Sequence, residues 1–112
     1  MNIQIFGTKK CQDTRKAERY FKERKISYQF IDLTIKGLSK GELHSVERFI
    51  NLKNLIDTQS KVYQKRNLQF IVHNIENILL EHPSLFKTPI VRNGTVGATI
   101  GYCPELWKEW QS

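Results

Sequence analysis

Residues 2–6 (Asn-Ile-Gln-Ile-Phe) alternate polar and apolar side chains, which predicts a strand. Gly7-Thr8-Lys9-Lys10 then reads as a loop. From Cys11 to about Arg24 the composition is helical, with Thr14, Ala17, Tyr20 and Phe21 on one face. Ser27–Leu33 alternates again and predicts a second strand. A strand, a helix and a strand with short connections form a βαβ unit, so these strands are expected to be parallel neighbours. Ser39-Lys40-Gly41-Glu42 has the spacing of a capping box, and Leu43, Val46 and Ile50 continue a helix to about residue 50. Asp57 or Thr58 can cap a short helix through Arg66. Another helix is expected from about Gln69 to His82, with Ile71, Ile75, Ile78 and Leu79 inward and Pro83 ending it. Pro89–Arg92, the turn Asn93-Gly94 and Thr95–Ile100 read as a hairpin with a type I′ turn. A last helix starts near Pro104 and carries Leu106, Trp107 and Trp110, the two tryptophans as core. The order is β-α-β-ααα-β-β-α, an α/β chain with a mixed four-stranded sheet.

Length and composition narrow the class. The 112 residues fit one domain, 1–112, with a helical insertion at about 39–82. A core is attainable without metal or disulfide at this length, and 12 aromatic residues argue against disorder. No apolar run exceeds three residues, so neither a membrane span nor a secretory signal is expected, and the cytoplasm is the expected location. Two cysteines 92 positions apart are expected as thiols. The three histidines and two cysteines show no zinc spacing, so no metal is expected. His44, His73 and His82 read as surface or packing residues. Walker A, G-x-G-x-x-G and G-x-S-x-G patterns are absent.

The net charge of +7 is uneven: residues 1–26 carry +5, residues 27–60 balance to zero, and residues 61–112 supply +2. A positive first quarter can attract nucleic acid, an acidic partner or a small anion, or be a solvated helix face. The absence of a reading helix argues against direct DNA binding.

Cys11 stands where the first loop becomes the first helix. Unpaired N–H groups and the positive helix end favour a thiolate there. Lys9, Lys10 and Arg15 add positive charge, Arg15 from the same helical face, whereas Asp13 opposes them. The same donors can hold an oxyanion such as phosphate, sulfate or arsenate. The other reading is a small cysteine that only packs. A strand, a loop, a cysteine and a helix, with a proline before a later hairpin strand, is the thioredoxin-fold arrangement. Thr88-Pro89 supplies that proline, and a cis bond would put backbone groups beside the thiol; a trans proline at a strand start is the plain alternative.

The stretch Phe6-Gly7-Thr8-Lys9-Lys10-Cys11-Gln12-Asp13-Thr14-Arg15-Lys16-Ala17 resembles the active-site segment of the ArsC family, which includes glutaredoxin-coupled arsenate reductases and the Spx class of RNA-polymerase-binding regulators. Glu81-His82-Pro83-Ser84-Leu85-Phe86-Lys87-Thr88-Pro89-Ile90-Val91 resembles that family's second motif. The resemblance implies a thioredoxin-like fold with a helical insertion. It implies Cys11 as nucleophile with Arg15 in support, anion contacts from Lys10, Gln12, Thr14 and Thr88, and Pro89 shaping the thiol site. No bound cofactor is implied; glutathione or a glutaredoxin is the reductant and partner, and a small oxyanion or thiol is the substrate.

Two departures bear on the substrate. Thr88 stands where the family's reductases carry Arg before the proline, and Gln59 is the best match to another family Arg. Arginine binds an oxyanion bidentately, and Thr and Gln cannot. The expectation is therefore a thiol oxidoreductase for which arsenate itself is doubtful. The alternative is a Spx-like regulator that docks on RNA polymerase. Many Spx proteins switch through Cys-x-x-Cys; Thr14 in the fourth position removes that switch. Cys103, at the start of the last helix, is expected to be structural, with a resolving role as the alternative.

Overall fold

The computed structural model describes residues 1–65 and 74–111. Strand β1 (Ile3–Gly7), helix α1 (Gln12–Glu23) and strand β2 (Tyr28–Asp32) form the expected βαβ unit, with β1 and β2 parallel and Ile5 opposite Phe30. Strands β3 (Ile90–Asn93) and β4 (Gly97–Ile100) are antiparallel to each other, and β3 runs antiparallel to β1. The sheet order is β2-β1-β3-β4. Helices α2 (Lys40–Glu47), α3 (Leu52–Leu55), α4 (Lys61–Lys65) and α5 (Ile75–Glu81) lie between β2 and β3, and α6 (Pro104–Trp110) ends the chain. Among the described residues, no helix is long and apolar enough to cross a membrane.

The alternation of β1 explains the layering. Ile3 and Ile5 pack with Ala17, Tyr20 and Phe21 of α1, Val91 of β3 and Trp107 of α6. Phe6 faces the other way, with Ile31, Leu33 and Ile90, onto Leu43, Val46, Leu55, Leu79 and Leu85 of the insertion. A central strand covered on both faces needs apolar residues on both. The buried face of α1 is Thr14, Ala17, Tyr20 and Phe21, as its spacing predicts. Helix α1 closes with Lys25 in the left-handed region (φ 57°) and an Ile26 N–H to Phe21 carbonyl bond, a Schellman ending.

The insertion contributes no described strand to the sheet. Its hold on the sheet is local: Ile56 forms an isolated antiparallel bridge with Phe86. The Asp57 N–H donates to the Leu85 carbonyl at 2.7 Å, and the Lys87 N–H to the Leu55 carbonyl at 2.8 Å. These bonds fasten the segment that leads into Thr88 and Pro89, which are joined by a cis peptide.

Several boundaries differ from the sequence expectation. The capping box at Ser39 and Glu42 forms, but α2 ends at Glu47 rather than residue 50. An unforeseen turn of helix, α3, follows, capped by the Asn51 carboxamide. Asp57 and Thr58 do not cap α4; the Ser60 hydroxyl accepts the Tyr63 N–H, while the Asp57 carboxylate accepts the Gln59 N–H in the preceding turn. Helix α5 starts at Ile75, where Asn74 is extended (ψ 116°) and its side chain accepts the Asn77 N–H as a cap; the expected start at Gln69 lies outside the described residues. Asn competes with the helix through such local bonds, which periodicity alone does not register. Arg66, Ile71 and His73 lie outside the described residues.

The hairpin also differs. Asn93 belongs to β3, pairing with Gly97, so three residues connect the strands rather than a two-residue type I′ turn. The Asn93 carboxamide accepts the Asn2 N–H at 3.2 Å, which draws the residue into the sheet. Leu106 is exposed, whereas Trp107 is fully buried and donates from Nε1 to Thr99 Oγ1 at 2.8 Å.

Gly7 sits where β1 meets α1. A Cβ there would lie 2.7 Å from Thr14 Cγ2 and closer still to its Oγ1, whereas a Cβ on Gly41 in α2 would meet nothing within 4 Å. Gly7→Ala is expected to lower stability by about 1–3 kcal/mol through overpacking. Gly41→Ala is expected to raise it by about 0.4–1 kcal/mol, by restricting the unfolded chain. Urea unfolding of the two variants checks both signs.

Candidate active site around Cys11

Cys11 is the N-cap of α1, in extended conformation (φ −77°, ψ 120°), and no side chain caps the helix. Its N–H donates to the Thr8 carbonyl at 3.2 Å, so the loop after β1 fixes its backbone. The thiol is partly buried and donates to the Thr88 carbonyl at 3.7 Å. The fold thus brings together two sequence segments 77 residues apart.

Burial pushes the Cys11 thiol up. Hydrogen bonds from the Thr14 and Thr88 side chains and from the Thr14 and Asp13 N–H groups outweigh it, leaving the thiol below its ordinary value. Thr14 is fully buried, and among the described residues its Oγ1 has no hydrogen-bond partner in the protonated state. A hydroxyl in that position gains its acceptor when the thiol ionises. The lowering therefore comes from hydrogen bonds. Lys9, Lys10 and Arg15 are exposed, where water and salt screen their charges. Lys9 acts instead on Asp32, whose carboxylate is lowered first by the Thr34 hydroxyl and N–H and further by the Lys9 charge.

The other candidate residues divide by location. Lys10, Gln12 and Arg15 point to solvent at the start of α1, and Thr14 lies beneath it. Gln59 is exposed in the turn before α4. Arg92, a nearby cation by sequence, is occupied on the insertion side of the sheet: its Nε donates to Gln4 Oε1 at 2.8 Å and its Nη2 contacts the same oxygen. Beside Thr88 opens a cleft of about 210 Å³ lined by Thr8, Leu33, Thr34, Asp57, Pro83, Ser84, Phe86 and Thr88. Among the described residues its lining holds four hydroxyls and one carboxylate, and neither lysine nor arginine. Sequence reasoning missed Thr8, Thr34, Ser84 and Asp57, which come from four separate segments with no shared spacing.

Cys103 has the opposite electrostatics. Burial and the Asp13 carboxylate push its thiol up, and the Thr99 hydroxyl only partly offsets them. Its S–H donates to the Ile100 carbonyl at 3.2 Å, a bond only the protonated form makes. Asp13, weighed in the sequence as opposing the Cys11 thiolate, instead acts on Cys103 through its charge, while its N–H supports Cys11.

The family model described as ArsC family matches residues 6–110. The chain belongs to the ArsC family. The global transcriptional regulator Spx 2 of Oceanobacillus iheyensis is 30% identical over 96 residues, covering 81% of this chain and 70% of that protein. The global transcriptional regulator Spx of Streptococcus pyogenes serotype M1 is 26% identical over 94 residues, 80% of this chain and 70% of its own length. Among solved structures, the arsenate reductase from Vibrio cholerae superposes with a TM-score of 0.82 at 23% identity, covering 97% of each chain. That likeness establishes the thioredoxin-like α/β fold of this ArsC-family chain.

The two thiols should separate in a pH titration of alkylation. Cys11 is expected to ionise below the free-cysteine value of about 8.5 and Cys103 above it. Thr14→Val removes a hydrogen bond to the charged form and should raise the Cys11 midpoint. Asp13→Asn removes a like charge and should lower that of Cys103. Alkylation rates against pH, resolved by peptide mass spectrometry, check all three directions.

Proposed function

We propose that this ArsC-family chain is a cytoplasmic thiol oxidoreductase in which Cys11 is the nucleophile and a disulfide, rather than arsenate, is the substrate. The observation that carries the reading is the buried Thr14 hydroxyl, left without a partner beside a thiol whose ionised form would accept from it. A thiolate stabilised by hydrogen bonds is a better nucleophile at neutral pH and a better leaving group when resolved.

The chemistry needs no further group in the site. The Cys11 thiolate attacks one sulfur of a glutathione mixed disulfide. The S–S bond breaks, a Cys11–glutathione disulfide forms, and the other sulfur leaves as a thiolate that takes a proton from water. A second thiol, from glutathione or a glutaredoxin, then attacks the glutathione sulfur and releases Cys11 as a thiolate. The electrons come from that second thiol. The Thr14 and Thr88 hydroxyls donate to the thiolate at both ends of the cycle, the Thr88 carbonyl accepts from the protonated thiol, and Pro89 follows Thr88 at the edge of the site. Lys10, Gln12 and Arg15, at the exposed start of α1, are available to the carboxylates of glutathione.

Arsenate suits the site less well. Its charge calls for cationic donors, and the cleft beside Thr88 offers hydroxyls and the Asp57 carboxylate. A second reading, a Spx-like regulator bound to RNA polymerase, is favoured by the 30% identity to a global transcriptional regulator. In that reading Cys11 has no partner for a local disulfide, since Thr14 occupies the fourth position.

Turnover of a glutathione mixed disulfide, with glutathione and glutaredoxin as reductants, tests the proposal. Cys11→Ser should reduce it to background and Cys103→Ser should leave most of it. Wild type should turn over arsenate poorly, and Thr88→Arg should increase that rate by restoring a bidentate donor. Turnover that survives Cys11→Ser sinks the mechanism. A wild type without exchange activity that retains RNA polymerase in a pull-down replaces it with the regulator.

A further inference from the structure

The helical insertion carries metal-ligating side chains that the thiol chemistry does not use. His44 and Glu47 stand three residues apart on α2, so they project from one face of it. Glu76 comes from the first turn of α5. His44 Nε2 and a Glu76 carboxylate oxygen are in direct contact. One ligand atom from each of the three residues lies within 4.8 Å of the other two. The neighbouring acid Glu42 is engaged elsewhere, accepting the Ser39 N–H at 2.8 Å in the capping box.

We propose that His44, Glu47 and Glu76 form a site for a divalent transition metal of the zinc class, which ties α2 to α5. Charge balance supports it. A divalent cation would neutralise the two carboxylates together. The donor set selects the metal class. One imidazole nitrogen with two carboxylate oxygens suits zinc and its neighbours, whereas calcium and magnesium prefer all-oxygen sets and copper(I) prefers sulfur. Zinc holds such ligands at about 2.0–2.2 Å, so donor atoms approach to about 3.4 Å in a tetrahedron. The observed spacing reaches this by rotation of side chains alone. Three protein ligands leave the fourth position to water. The His44 side chain is 53% exposed, so the ion enters directly from solvent.

The site also answers a structural need. Helix α2 has eight residues and α5 seven, both short enough to be marginal without tertiary support. The histidine partner lies 32 residues away in sequence, which is why no ligand spacing is legible there and why His44 reads as a surface residue.

Titration of the reduced full-length chain with zinc chloride, followed by calorimetry, tests the proposal. One equivalent is expected to bind. His44→Gln and Glu76→Gln should each weaken binding at least tenfold, and Cys11→Ser should leave it unchanged. Zinc should raise the thermal midpoint of wild type and not that of His44→Gln. Cobalt(II) gives a readout on the wild type alone: a tetrahedral visible spectrum without a thiolate charge-transfer band is expected. No saturable binding at tenth-millimolar zinc overturns the proposal. So does binding that Cys11→Ser abolishes while His44→Gln spares it, or a thiolate band in the cobalt spectrum.

Discussion

The contact on which the site depends is that of Gly7 with Thr14. Strand β1 can approach the first turn of α1 this closely only because position 7 has no Cβ. The approach buries Thr14 completely, and among the described residues its hydroxyl is left without a hydrogen-bond partner, near enough to the Cys11 sulfur to lower the thiol. It also sets the height of the α1 N-terminus over the end of β1. The Thr8 carbonyl then receives the Cys11 N–H, and the thiol reaches the Thr88 carbonyl on the neighbouring segment. A side chain at position 7 would lift the helix start and loosen each of these contacts together.

The thiol is activated by short-range donors rather than by the basic surface around it. This divides the labour between interior and exterior. Thr14, Thr88 and the first N–H groups of α1 act in a partly desolvated environment, where a hydrogen bond to a charged sulfur is strong. Lys10 and Arg15 stand in water, where their fields are screened. The same helix start treats the two cysteines oppositely, because the Asp13 N–H supports Cys11 and the Asp13 carboxylate opposes ionisation of Cys103. Cys103 donates to the Ile100 carbonyl.

The insertion contributes to the site from a distance. Its bridge between Ile56 and Phe86 fixes the chain just before Thr88, and its Asp57 lines the cleft beside that residue. Four hydroxyls, of Thr8, Thr34, Ser84 and Thr88, line that cleft with the Asp57 carboxylate.

Local periodicity determined most of the framework. The alternation in residues 2–6 and 27–33, the buried stripe Thr14-Ala17-Tyr20-Phe21 and the Ser39–Glu42 box each reflect contacts between near neighbours, and each forms as read. The two motifs around Cys11 and Pro89 likewise identified the family. Where side-chain capping competes with periodicity, the sequence misled: Asn74 caps α5, Ser60 rather than Asp57 caps α4, and Asn93 joins the sheet instead of its turn. The source of the Cys11 shift, the role of Asp13 towards Cys103, the cleft without a lysine or arginine in its lining and the meeting of His44 with Glu76 were decided by the tertiary structure. Apart from the local donors Asp13 and Thr14 to Cys11, these depend on distances between segments tens of residues apart, and hydrogen bonds and screened charges act over a few ångströms of space rather than along the chain.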